Sequence, residues 1–317
     1  MVVFSPYASL LAELPVREDA VTVLGSVTEY WDYGPVDAAI TVVVVHGFRG
    51  EHHGLDPLVA HLRGIRLISP DLPGFGESTP LTEVDTSIAG YSAWLRGFVD
   101  ALQLAEPPII LGHSFGSIVS SAAVADGLHT PRLILINPIA APALSGPKAI
   151  LTWLTVMYYR VAAALPERMG YALLGNWLIV RFTSLLMVTT KDKALRRWIH
   201  SQHHTYFSRF SDRATVLAGF DASVTSDVSM AAGRITVPTL LIAADHDPIT
   251  SVKALHRLAG LFSDAKLVMF ENVGHLIHYE RPLEAAREIV SFLGVGSIAS
   301  AGERSATGGA AATGGTK

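Results

Sequence analysis

A serine hydroxyl is a poor nucleophile until a positioned base takes its proton. One serine in this chain sits where such an arrangement can be built. Gly112-His113-Ser114-Phe115-Gly116 is a G-x-S-x-G pattern lying between a short apolar run, Ile109–Leu111, and an apolar helical pattern, Gly116–Ala125. A tight turn there forces the serine into a strained conformation, and the glycines leave room around it. For the base, His275 stands out among thirteen histidines: it follows Val273-Gly274 just after a strand pattern and precedes Glu280-Arg281-Pro282. Such a base needs a carboxylate to fix its tautomer and stabilise the imidazolium. Asp245 and Asp247, just beyond the run Thr239–Ala243, are the candidates. The chain has no cysteine, which excludes a thiol nucleophile, a thiolate zinc site, an iron–sulfur cluster and a disulfide framework.

These residues must be held by a scaffold, and the hydrophobic pattern indicates which. Thr41–Val45, Leu67–Ser69, Ile109–Leu111, Leu133–Ile136, Thr239–Ala243 and Leu267–Phe270 are apolar at successive positions. Strands covered on both faces, as in a parallel sheet, read this way. Val21–Leu24 and Val27–Tyr33, broken at Gly25-Ser26, predict an edge hairpin. Helical patterns cover Thr86–Leu102, Gly116–Ala125, Val252–Leu261 and Pro282–Phe292, the last with Pro at its first position. The alternation predicts an α/β class with a mostly parallel, doubly wound sheet. Between Asn137 and Thr239 lie 101 residues, where a strand–helix–strand crossover needs only about 30. We read a core over 1–137 and 239–293, a helical insertion acting as a lid over 138–238, and a disordered Gly/Ala/Ser/Thr tail over 294–317.

Further motifs carry a family resemblance. Val44-Val45-His46-Gly47-Phe48 ends a strand, Asp71-Leu72-Pro73-Gly74-Phe75-Gly76-Glu77-Ser78 reads D-x-P-G-x-G-x-S, and Leu241-Ile242-Ala243-Ala244-Asp245-His246-Asp247 leads into the acidic pair. With the serine elbow and Val273-Gly274-His275, they resemble the α/β-hydrolase superfamily in its lid-bearing, serine esterase- and lipase-like branch. The resemblance implies the order Ser114, Asp247, His275. It places the acid three residues after a glycine, a position held here by Ala244, which favours Asp247 and leaves Asp245 as the substitute. Some relatives carry the acid after the preceding strand, where this chain has Asn137-Pro138, and an amide cannot serve as the anionic partner. The resemblance also implies an oxyanion hole from the backbone N–H groups of Phe115 and Phe48, with His46 a structural loop residue.

Other motifs carry less. Gly74-Phe75-Gly76 lacks the third glycine of a dinucleotide loop and reads as a scaffold turn. His200, His203 and His204 share a helix face without a completing carboxylate and read as a polar lid face; His52 and His53 read as an exposed loop or the pocket mouth. No cofactor or metal is called for. A net charge of −4 gives no reason to expect nucleic acid. The composition is 50% hydrophobic and 16% charged, with a mean hydropathy of +0.36. The uncharged runs Ala149–Tyr159 and Met169–Val180 end at Arg160 and Arg181, short of the roughly 20 residues that span a bilayer. We therefore expect the apolar excess to pack within the lid and roof an apolar pocket, with peripheral lipid contact at most. The N-terminus lacks a basic region before an apolar run, so a cytoplasmic location is expected. The implied reaction is hydrolysis of a small carboxylic ester with an apolar acyl or aryl group. The same triad could cleave a carbon–carbon, thioester or amide bond, with Arg160 and Arg181 the cations to inspect for a dicarboxylate. A ligand-binding protein on this scaffold is a third reading.

Overall fold

The β-branched runs pair into one eight-stranded sheet in the computed structural model, which describes residues 3–141 and 149–295. The strands are β1 (Val16–Val23), β2 (Ser26–Tyr33), β3 (Thr41–Val45), β4 (Arg66–Pro70), β5 (Ile109–His113), β6 (Leu133–Ile136), β7 (Thr239–Ala244) and β8 (Ala265–Phe270). Their spatial order is β1-β2-β4-β3-β5-β6-β7-β8. From β4 to β8 all neighbours are parallel, while β2 runs antiparallel to both β4 and β1, completing the expected hairpin. The register sets Val45 opposite Gly112, His113 opposite Ile136 and Ile136 opposite Ile242. Four strands thus end nearly level, and the loops after them emerge along one edge, where open α/β sheets bind ligands.

The strands alternate between two cores. Val43, Val45 and Ile110 face a layer containing Tyr91, Trp94 and Phe98 from α3 (Ile88–Ala101) and Ile118 and Val119 from α4 (Phe115–Ala125). Val42, Val44 and Leu111 face Leu58 from α2 (Asp56–Val59) and Ile289 from the last described helix, Pro282–Leu293. Both faces are covered, which explains the unbroken apolarity of β3, β5, β6 and β7. Strand β8 departs from the expectation: it is the sheet edge and is only partly buried.

Between β6 and β7 the described chain is helical, as α5 (Ala149–Ala164), α6 (Glu167–Leu174), α7 (Trp177–Met187), α8 (Lys193–Tyr206), α9 (Arg213–Thr225) and α10 (Ser229–Ala232). Its apolar excess is only partly packed inward: Tyr159, Leu174, Val180 and Trp198 are buried, whereas Trp153, Trp177 and Phe182 are exposed. Two fastenings hold it to the core. Buried Arg49, just after the β3 loop, donates to the carbonyls of Phe207 and Leu174 and to the Tyr159 hydroxyl. Glu280 accepts from the backbone N–H groups of Thr189 and Thr190 and from the Thr189 hydroxyl. Of the tail, only Gly294 and Val295 are described; the call on the remainder lies outside the described residues.

Candidate active site

The elbow between β5 and α4 puts Ser114 at φ +53° and ψ −117°, a positive φ that a non-glycine residue adopts only when its surroundings over-determine it. Here the surroundings are tight. A Cβ on Gly112 would strike the Gly116 carbonyl, and one on Gly116 would strike the carbonyl of Val45 in the neighbouring strand. The glycines of the pattern are thus required by close backbone approach. The Ser114 N–H donates to the Ile136 carbonyl at 3.1 Å, while its side chain stands half-buried above the strand ends.

His275 follows β8 in the loop that Glu271 begins, directly after Gly274, and its side chain lies almost wholly buried. Its Nε2 is 2.7 Å from Ser114 Oγ and its Nδ1 is 2.7 Å from Asp247 Oδ2. The network fixes the tautomer: Nδ1–H donates to the carboxylate, and the Nε2 lone pair accepts from the serine. Of the two aspartates, Asp247 is the one that reaches His275. Asp245 turns to its neighbour His246, at 2.8 Å.

Asp247 is buried, which by itself raises its pKa, yet the opposing effects prevail. The charge of His275, its hydrogen bond, the Ile249 N–H and the Asn137 amide hold the carboxyl below the usual carboxylate range. Asn137, set aside above as unable to be the acid, is instead a hydrogen-bond donor to the candidate acid. Its Nδ2 donates to Asp247 Oδ2 at 3.0 Å and to the Gly274 carbonyl at 3.3 Å, from a backbone at φ +47°. Asparagine tolerates that left-handed conformation better than most residues.

Two backbone donors border the serine. Phe115 opens α4, so its N–H has no partner within the helix, and Phe48 follows His46-Gly47 at the end of β3. Among the described residues neither N–H donates to a protein acceptor. His46 lies in the scaffold: its Nδ1–H donates to the Gly47 carbonyl and its Nε2 accepts from the Leu72 N–H. The Phe48 ring meets Phe75 and Phe115 edge-on, at centroid distances of 5.7 and 6.0 Å. Tyr159 and Phe220 of the insertion, stacked 3.7 Å apart, lie beside it.

Other histidines differ from expectation. His52 is neither exposed nor at a pocket mouth. It is buried, stacked on Trp31, and bonded through Nδ1 to Asp71 Oδ1, with burial pushing its pKa down to about 3. His53 pairs with Glu51 and stacks on Tyr206 of α8. Glu51, His52 and His53 offer three metal-ligand atoms within 4.8 Å of one another, but both Nδ1 atoms already have carboxylate partners. Asp71 organises its turn by accepting from the His52 and Glu77 N–H groups. His200 and His203, read as part of a polar lid face, both turn inward onto Ser184, at 2.6 and 2.7 Å, and of the three histidines only His204 is exposed. His113 and His278 were missed in the sequence. Their rings lie tilted against each other with centroids 4.0 Å apart, His113 being 5.6 Å from the His275 ring. Burial pushes the pKa of His113 down to about 3 and that of His278 well below the usual imidazole value. Held neutral, they place no positive charge beside a forming imidazolium. Arg160 is exposed on α5 and Arg181 half-buried on α7, and Arg49 is occupied by the insertion's carbonyls.

Residues 42–288 match the profile of the alpha/beta hydrolase family. The chain belongs to that family. It is similar to a 2-hydroxy-6-oxononadienedioate/2-hydroxy-6-oxononatrienedioate hydrolase of Cupriavidus pinatubonensis, at 27% identity over 81% of this chain and 87% of that protein. It is also similar to a monoacylglycerol lipase of Bos taurus, at 22% identity over 80% and 75% of the two chains. Among solved structures, an enol-lactonase from Burkholderia xenovorans shares the fold with a TM-score of 0.70, at 21% identity over 87% of this chain and all of that one. The chain is therefore a hydrolase with an α/β-hydrolase fold, and esterases and lipases are among its relatives.

Proposed function

We propose that this chain is a serine hydrolase that cleaves a carboxylic ester of an apolar acyl or aryl substrate through an acyl-enzyme. The continuous relay Asp247–His275–Ser114, with both links at 2.7 Å, carries the reading. His275 Nε2 takes the Ser114 proton as Oγ attacks the ester carbonyl, and Asp247 stabilises the imidazolium. The oxyanion is received by the N–H groups of Phe48 and Phe115. Imidazolium then protonates the leaving alkoxide. Water, deprotonated by the same Nε2, attacks the acyl-enzyme and returns serine and a carboxylic acid. The insertion, 138–238, serves as a lid, and Phe48, Phe115, Tyr159 and Phe220 supply the apolar environment for the substrate. A dicarboxylate substrate, as the name of the Cupriavidus relative implies for that protein, would need a cation near the serine. Arg49 is committed to carbonyls and Arg160 faces solvent, which favours the ester.

The test is turnover of p-nitrophenyl esters of increasing acyl length, with fluorophosphonate labelling. Expected are turnover, labelling at Ser114, and loss of about six orders of magnitude in kcat for Ser114→Ala. Absence of both turnover and labelling overturns the proposal; ligand binding indifferent to Ser114→Ala would then indicate a binding protein.

A further inference from the structure

We propose that the α7–α8 hairpin is a docking surface for an anionic lipid bilayer. Helix α7 buries one side, at Val180 and Ser184. At 100° per residue, Leu178, Phe182, Leu185 and Leu186 fall within the opposite half of the helix, and Trp177, its first residue, is exposed at the N-terminal end. Trp177 is 61% exposed, Leu178 57% and Phe182 58%. A helix apolar on all sides is normally enclosed by protein or by lipid. Nothing among the described residues encloses this outer side, and an apolar face of this kind marks an interaction surface.

The charge pattern says what covers it. Trp177–Tyr206 carries Arg181, Lys191, Lys193, Arg196 and Arg197 against the single acid Asp192, in a chain whose net charge is −4. Asp192 is engaged in capping α8, accepting from the Ala194 and Leu195 N–H groups. Among the described residues none of the five cations pairs with a carboxylate. Lys193, Arg196 and Arg197 are spaced i, i+3 and i+4 and share one exposed face of α8, with the Arg196 guanidinium also donating to the Thr190 carbonyl. Apolar side chains flanked by Lys and Arg suit the boundary between acyl chains and anionic headgroups. A second copy of this chain would instead set these cations against their own counterparts, because a two-fold interface is self-complementary.

The hairpin lies on the bilayer without crossing it. The stretch Glu167–Met187 has the length and composition of a span, yet it is two helices, broken where Gly175 ends α6 and Asn176 caps α7. The 11 residues of α7 cover about 16 Å, half the hydrocarbon thickness. Docking here bears on the site, because Thr189, just past α7, accepts from the Gly274 N–H next to His275.

The experiment is sedimentation with vesicles of phosphatidylglycerol and phosphatidylcholine, or of phosphatidylcholine alone, using full-length Ser114→Ala protein so that no lipid is hydrolysed. Binding to the anionic vesicles is expected, with a blue shift of tryptophan emission and weakening in 0.5 M salt. The triple variant Lys191→Glu, Lys193→Glu, Arg197→Glu should lower the partition coefficient at least about tenfold, as should Trp177→Ser with Phe182→Ser. In the Ser114 background the triple variant should leave hydrolysis of a water-soluble ester unchanged, which separates docking from the reaction. Wild-type-like binding by the folded variants overturns the proposal, as does protein that stays in the supernatant. A dimer that these variants dissociate would assign the face to a second copy and overturn it equally.

Discussion

Asn137→Ala isolates the group that supports the candidate acid without touching the serine or histidine. Asp247 is surrounded by four donors: His275 Nδ1, Asn137 Nδ2 and the N–H groups of Ile249 and Thr250. A hydrogen bond to a buried charged group is worth about 1.5–3 kcal/mol. Expressed wholly as a preference for the ionised carboxyl, that is a shift of about 1–2 pH units. Removing it leaves a more basic carboxylate, which binds the imidazolium proton more tightly. The coupled Asp247–His275 pair therefore protonates at higher pH, and the acid limb of kcat/KM moves upward. Since Oδ2 keeps His275 and Oδ1 keeps two backbone donors, the expected displacement is roughly 0.5–1 unit. A looser imidazole costs at most about 10–100-fold in kcat/KM at the optimum, the rate equivalent of the lost bond. Asn137→Asp should move the limb further, because it sets a second carboxylate about 3 Å from Asp247, and two such neighbours resist ionising together. The assay is kcat/KM against pH on a water-soluble aryl ester, alongside thermal unfolding. An acid limb unmoved in both variants while Tm falls would refute the reasoning and reduce Asn137 to a packing residue.

Two further substitutions test the scaffold. Burial pushes the Asp56 carboxyl up to about 7, against the charge of His53 and the Tyr33 hydrogen bond. A folded pKa above the unfolded one means that the folded state holds the proton more tightly, so stability falls as pH rises from about 4 to 7. Asp56→Asn should therefore raise stability by on the order of 2–4 kcal/mol at pH 8 and hardly at pH 4. Urea unfolding at both values checks it, and an equal gain at both refutes it. Arg49→Met removes a buried guanidinium from the carbonyls of Phe207 and Leu174. It should cost about 2–4 kcal/mol and speed proteolysis within residues 149–210; cleavage no faster than wild type would show that Arg49 does not fasten the insertion.

What was legible in the sequence had a backbone cause. The elbow glycines and the strand runs follow from close approach and from burial on two faces, which act along short stretches of chain, while the order of Ser114, Asp247 and His275 was implied by the family resemblance. The half-exposed β8 was not legible, because a run such as Leu267–Phe270 looks alike at a sheet edge and at its centre. Asn137 was passed over because its chemistry was judged alone, as an amide unfit to be an anion. Its contribution is a donor supplied to a residue 110 positions away. His52, His200 and His203 were misplaced for the same reason: their partners Asp71 and Ser184 are tertiary neighbours that no local spacing announces.

The surplus of apolar residues carries the same lesson further. Composition locates it between β6 and β7 but does not say which way the side chains point. In α7 they point both ways, with Val180 inward and Trp177 and Phe182 outward, so burial within the chain accounts for only part of the excess. A fully internal role would place these large side chains against the sheet or the neighbouring helices, where they would not be more than half exposed. Their cost in water recurs in every folded molecule, and among the described residues neither Arg181 nor the cations of α8 pair with a carboxylate. An exposed apolar helix face is unfavourable in water, and an anionic bilayer would cover it while attracting the basic residues of the same hairpin.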